Sequence, residues 1–199
     1  MEPFKKDIIL AGVGGQGILS IAAAIGYAAL GEKLNIKQSE VHGMSQRGGE
    51  VQAHLRLSSG HISSDLIPLG KADMIISMEP MEALRYLPYL SAQGWIVSNE
   101  IPYKNISNYP SIDQIKQAIR EFPRHRLVDA DGLARKAGSA QSSNMVLLGA
   151  SIDLIGLSQQ SIRNSIDFLF KRKGQRVLDT NLKAFNSGTE HFLEEIFHA

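Results

Sequence analysis

The chain has 199 residues, of which 43% are apolar and 21% charged, with 18 glycines and no cysteine. That length fits one domain able to bury its core without covalent staples, and the composition excludes wholesale disorder. With 21 basic against 20 acidic residues, the chain lacks the footprint of a dedicated nucleic-acid binder, and without cysteine it offers no disulfide, thiolate nucleophile or cysteine-held iron–sulfur cluster.

Met1-Glu2-Pro3-Phe4-Lys5-Lys6-Asp7 is followed by too few apolar residues for a signal-peptide core, and the apolar-rich stretch 18–30 is too short to span a bilayer. A soluble, cytoplasmic protein is expected. Asp7 to Gly12 reads as a strand buried on both faces, as parallel sheets require. Ile18, Ile21, Ala22, Ile25, Ala28 and Ala29 then recur at helical spacing up to a stop at Gly31. Leu34 to Ser39 suits a second strand, and 41–49 reads as a loop by composition. Val51, Ala53, Leu55 and Leu57 alternate with polar residues, which predicts a strand with one solvated face. Ser58-Ser59-Gly60 reads as a turn, with His61-Ile62-Ser63 as the returning strand of a hairpin. Met74 to Met78 is a further buried strand, and Pro80 suits the first turn of the helix after it. Trp95 to Ser98 and Leu127-Val128 are read as strands, 101–111 as a surface connection, and 112–121 as a short helix. A helix is expected over Met145 to Ile155, then one capped by Ser158 with the stripe Ile162, Ile166, Leu169 and Phe170. The last helix presents Leu182, Phe185, Phe192 and Ile196. The expected fold is α/β: a single domain over 1–199, three layers α/β/α, around a mostly parallel mixed sheet.

Gly12-Val13-Gly14-Gly15-Gln16-Gly17 follows a predicted strand and opens a predicted helix, the setting of a phosphate-binding turn. Three readings stand beside each other: a ligand phosphate at Gly12, Gly14, Gly15, Gln16 and Gly17, a close-packed turn that binds nothing, and a dinucleotide site. The last needs an acid about twenty residues on, and Glu40 lies somewhat too far. A second polar, glycine-rich segment carries Glu40, His42, Gln46, Arg47, Gly48 and Gly49. There Arg47 could clamp a carboxylate or phosphate, and a surface loop with a Glu40–Arg47 ion pair is the plainer alternative. Asp129-Ala130-Asp131-Gly132 lacks the first glycine of a thiamine diphosphate motif, and Asn144 stands only 13 residues beyond Asp131. A loop entering a helix, and Asn144 as a helix cap, suffice there. The six histidines include no pair three to five residues apart, so a helical zinc pair is missing. No nucleophile–base pair is evident, and the residues favour a binding or accessory domain over a complete enzyme.

These motifs, in order along nearly the whole chain, resemble the gamma domain of 2-oxoacid:ferredoxin oxidoreductases. The resemblance rests on Ile9 to Gly17, Ser39 to Gly49, Ala72-Asp73, Glu79-Pro80-Met81-Glu82-Ala83-Leu84-Arg85, Asn144 to Ala150, and Asn181 to Phe185 with Gly188. The forms at 39–43 and 79–85 are most similar to the small subunits of the indolepyruvate branch. The resemblance implies CoA-dependent oxidative decarboxylation of an aryl 2-oxoacid, with ferredoxin as acceptor reached through the complex. It implies no cofactor in this chain, CoA as co-substrate, and a large partner subunit carrying thiamine diphosphate and iron–sulfur clusters. A gamma subunit of a pyruvate or branched-chain enzyme, and a free-standing nucleotide-binding module, are the alternatives.

Overall fold

Residues 7–13 are buried without interruption, so Lys5–Val13 forms a central strand, β1, covered on both faces. The computed structural model describes residues 3–42, 49–104 and 108–198, the side chains of 42 and 193–198 excepted. The other strands are β2 (Asn35–His42), β3 (Glu50–Ser58), β4 (Ala72–Ser77), β5 (Leu90–Asn99) and β6 (His125–Val128). Their order in the sheet is β2-β3-β1-β4-β5-β6. The pairs β1–β4, β4–β5 and β5–β6 are parallel, whereas β3 runs antiparallel to both β1 and β2. The sheet is therefore mixed and mostly parallel, as expected.

The helices are α1 (Ile18–Gly31), α2 (Pro80–Arg85), α3 (Ile112–Arg120), α4 (Ala130–Ala137), α5 (Ser143–Gly149), α6 (Ile152–Ile155), α7 (Gln159–Phe170) and α8 (Gln175–His198). Alternate strand residues Ile8, Leu10, Leu55, Met74, Ile76 and Val97 pack against α1, α5, α7 and α8. The opposite set, with Ile9, Ile75 and Ile96, packs against α2, α3, Ile67 and Tyr86. These are the three layers. The closest helix crossing is α5 on α8, where a Cβ on Gly188 would lie 2.0 Å from the Val146 carbonyl oxygen and one on Gly149 2.0 Å from that of Phe185. Among the described residues no helix is long and apolar enough to cross a membrane.

Three local expectations are corrected. Residues 61–63 form no returning strand; β3 instead inserts between β2 and β1. The polar face of β3 is solvated only in part, because residues 64–67 cover it at His54 and Arg56. His54, 3% exposed, accepts the Ile67 N–H on Nδ1 at 2.9 Å. Arg56 forms a two-pronged pair with the fully buried Asp7 and donates to the Ser64 and Leu66 carbonyls. Met145 to Ile155 is broken into α5 and α6 around Ala150 and Ser151, where the Ser151 hydroxyl turns back to the Leu147 carbonyl. The segment at 129–132 enters a helix, α4, as expected, and Asp129 caps it by accepting the Gly132 N–H. Ser158 caps α7 as expected, by accepting the Ser161 N–H.

Candidate functional site

β1 feeds α1 on one face of the sheet, and its parallel neighbour β4 feeds α2 on the other. The crevice between the C-terminal ends of two such strands is where open α/β sheets receive ligands. Gln16 bridges this crevice. Its Oε1 accepts the Val13 N–H at 2.7 Å, and its Nε2 donates to the Met78 carbonyl at 3.2 Å. The same carbonyl lies 3.5 Å from Nδ2 of Asn99, at the end of β5. One carbonyl at the tip of β4 thus ties together the ends of β1, β4 and β5.

The glycines of the turn have separate tasks. Gly12 sits inside β1, where a Cβ would fall 2.8 Å from Gln16 Oε1 and 2.5 Å from the Ile18 side chain, so it makes room for the bridge. The Gly14 N–H donates to the Gly49 carbonyl at 2.9 Å, which brings the end of the second polar segment onto the turn. Gly15 has φ +100° and open space where a Cβ would stand. Gly17 is the N-cap of α1 with φ +78°, a conformation natural to glycine. A Cβ there would lie 2.6 Å from Nδ2 of Asn144, which donates to the Gly17 carbonyl at 3.1 Å. Asn144 stands in the first turn of α5, whose N-cap position is Ser142; its Oδ1 accepts the leading Met145 N–H at 3.0 Å, while its Nδ2 joins α5 to the turn across 127 positions of sequence.

On the α1 side of the turn a cleft of about 710 Å³ opens between the starts of α1, α5 and α8. Gly15, Gln16 and Gly17 form one wall, and Lys173 and Arg176 supply positive charge from the far side. No aspartate or glutamate is among its lining residues. Helix α1 has neither a side-chain cap nor an acid in its first turn, so its leading N–H groups keep their partial positive charge. The volume suits a small-molecule site, and the charge suits an anion. The sequence reading missed Lys173, Arg176 and Asn99, and it gave Asn144 only as a helix cap and not as a partner of Gly17; the basic run 171–176 was the available signal for the first two.

Glu40 is not at the turn. It stands on β2, paired with Ala53 of β3, which in turn pairs with Leu10, so a whole strand separates it from β1. Its carboxylate is hydrogen-bonded by Gln38. An acid two strands away cannot serve as the ribose partner of a dinucleotide turn, since adjacent strands are about 4.8 Å apart. His42 ends β2, while Gln46, Arg47 and Gly48 lie outside the described residues.

On the other face of the crevice, Glu79 caps α2 by accepting the Glu82 N–H, and it is 1% exposed. The Tyr109 hydroxyl donates to its second oxygen, and burial together with that carboxylate raises the phenol pKa. Burial also raises the pKa of Glu82, against the opposing charge of Arg85. Tyr86 is pushed up to about 12 by burial and by Glu50 and Glu82. Among the described residues no group of three acidic or histidine side chains is placed to hold a metal.

The family model for pyruvate ferredoxin/flavodoxin oxidoreductases matches residues 7–191. The chain is 38% identical over 196 residues to indolepyruvate oxidoreductase subunit IorB of Pyrococcus horikoshii, covering 94% of this chain and 95% of that one. It is 37% identical, with the same coverage, to the IorB subunit of Thermococcus kodakarensis. Among solved structures, the 2-oxoglutarate:ferredoxin oxidoreductase of Magnetococcus marinus, with 2-oxoglutarate, coenzyme A and succinyl-CoA bound, shares the fold at a TM-score of 0.75 and 23% identity. That match covers 94% of this chain and 30% of the longer one.

Proposed function

The chain belongs to the pyruvate ferredoxin/flavodoxin oxidoreductase family, and from that premise we propose that it is the small, cluster-free subunit of an indolepyruvate ferredoxin oxidoreductase. The observation that carries this reading is the end-to-end match to the IorB subunits, at 37–38% identity over 94% of this chain. The reaction is the oxidative decarboxylation of an aryl pyruvate. The carboxylate leaves as carbon dioxide, two electrons pass to ferredoxin, and the aryl-acetyl group is transferred to the thiol of CoA. With no cysteine and no thiamine motif, this chain leaves thiamine diphosphate and the iron–sulfur clusters to a large partner subunit.

The work of this chain is then to hold CoA and help close the site. Gly15 and Gly17 present backbone to an anionic group, and Lys173 and Arg176 face the same cleft without a competing acid. Coenzyme A, bound in the Magnetococcus marinus relative, has phosphates of the matching charge. The second polar segment, tied to the turn through Gly49, faces the large subunit, and Arg47 holds a carboxylate or phosphate there.

Two measurements test this. Viologen reduction dependent on indolepyruvate should require both the large subunit and this chain; turnover by this chain alone would refute the assignment. In the complex, Arg47→Ala should lower activity about ten- to a hundredfold, the effect of losing a charged hydrogen bond of roughly 1.5–3 kcal/mol. The melting temperature of the isolated chain should barely move. Full activity of that complex would make the segment structural.

A further inference from the structure

Helix α1 has no charged residue among its 14 positions. A surface helix ordinarily sets polar side chains on its outer face, and a helix that is apolar all round is a buried one. The inner face of α1 is covered: Ile21, Ala22, Ile25 and Ala28 are buried in the main core. The outer face is not. Leu19, Ala23, Tyr27 and Leu30 fall within an arc of about 80° of the helix, and Leu19, Tyr27 and Leu30 are 38%, 46% and 56% exposed. Phe168 of α7, 63% exposed, widens this row, its ring centroid 4.7 Å from that of Tyr27. Single exposed apolar residues are ordinary on a protein surface, whereas a contiguous face marks an interaction site.

This face adjoins the cleft at the glycine turn. Ser20, one turn before Ala23 on the same helix, lines the cleft, as do Phe170 and Lys173, which follow Phe168 in the chain. The exposed run Lys171, Arg172, Lys173 and Arg176 borders the same end. Among the described residues, Arg172, Lys173 and Arg176 have no acidic partner. A fitting cover therefore has an apolar centre and acidic side chains at its cleft end. A second copy of this chain does not supply that from the same surface, because neither 18–31 nor 171–176 contains an acid.

We propose that the face formed by α1 and Phe168 is where the large partner subunit docks, through an apolar surface bordered by acidic side chains, and that this contact carries the subunit across the mouth of the cleft. This rests on the reading that a large subunit completes the site at the cleft. The test is the affinity of the purified chain for the large subunit, titrated at about 0.05 and 0.5 M NaCl, together with the mass of the isolated chain by analytical ultracentrifugation. Leu30→Glu combined with Phe168→Glu should raise Kd about tenfold or more. Both side chains are exposed, so the melting temperature of the isolated chain should stay unchanged. Turnover of indolepyruvate should return to the wild-type rate when this variant is added in excess, since only assembly is affected. Arg172→Glu, on an exposed residue outside the core, makes the test independent of folding. It should raise Kd about three- to tenfold at low salt and little at high salt, where the charges are screened.

Unchanged affinity in the Leu30→Glu, Phe168→Glu chain overturns the proposal, and so does turnover that excess chain fails to restore. If the isolated wild-type chain is a dimer that this variant splits, while its affinity for the large subunit is unchanged, the face belongs to a second copy. An Arg172→Glu chain with wild-type affinity at both salt concentrations refutes the acidic border. The two levels separate cleanly. A wild-type chain that neither binds nor activates the large subunit refutes the underlying reading; a wild-type chain that does both, with variants that bind as tightly, refutes this inference alone.

Discussion

Replacing Gln16 tests whether the crevice between β1 and β4 depends on a side-chain bridge. In Gln16→Ala, the Val13 N–H loses its 2.7 Å acceptor, and the Met78 carbonyl keeps only the 3.5 Å contact from Asn99. Val13 and Met78 are each 2% exposed. An orphaned buried donor costs about 1–3 kcal/mol and an ordinary lost hydrogen bond about 0.5–1.5. The crevice opens onto the cleft, so water can enter and offset part of this, leaving about 2 kcal/mol. For a chain of this size that lowers Tm by about 4–8 °C. Gln16→Glu is the sharper probe. It keeps the acceptor for Val13 but sets a carboxylate oxygen against the Met78 carbonyl. Protonating the new acid restores a donor, so its folded-state pKa is raised. Stability is then recovered below the ordinary carboxylate pKa and lost as pH rises through the folded value. Thermal unfolding of the wild-type chain and both variants at about pH 4.5 and 7 reads this directly. A Gln16→Glu chain as stable as wild type at the higher pH, or a Gln16→Ala chain with an unshifted Tm, would refute the bridge.

Two further outcomes follow from the fold. His54 accepts the Ile67 N–H and must be neutral to do so, and burial lowers its pKa below the ordinary 6.5, with Asp65 opposing and Arg56 adding. The stability it contributes is complete above 6.5 and is lost as pH falls from there through the folded-state value. Urea midpoints between about pH 5 and 8 should therefore drop on the acid side. His54→Asn should flatten that drop, and an equally steep variant profile would exonerate His54. Gly188→Ala should cost about 1–3 kcal/mol, because the new Cβ meets the backbone of α5, which cannot turn aside as a side chain can. A Tm fall smaller than about 2 °C would mean that the helices cross less closely than described.

The strand–turn–helix at 5–31, the capped α7 and the buried β4 were legible because their signals are local. An apolar run, a glycine stop or a serine before a helical stripe acts within one or two turns of chain. The family was legible for a related reason: several short motifs in fixed order carry far more information than one glycine turn. What only the tertiary structure decided is long-range. Nothing near residue 50 states that β3 will insert between β2 and β1, and that insertion is what carries Glu40 away from the turn. Nor does the alternation in β3 reveal that a later segment, bonded to Arg56 and His54, will cover part of its polar face. Alternation reports the two faces of a strand but not what lies over them. The pairing of Asn144 with Gly17, and the approach of Lys173 and Arg176 to that turn, depend on how α5 and α8 pack through Gly149 and Gly188. Such contacts close loops of more than a hundred residues, and they form only because the whole core pulls the helices together, a cause no local window of sequence contains.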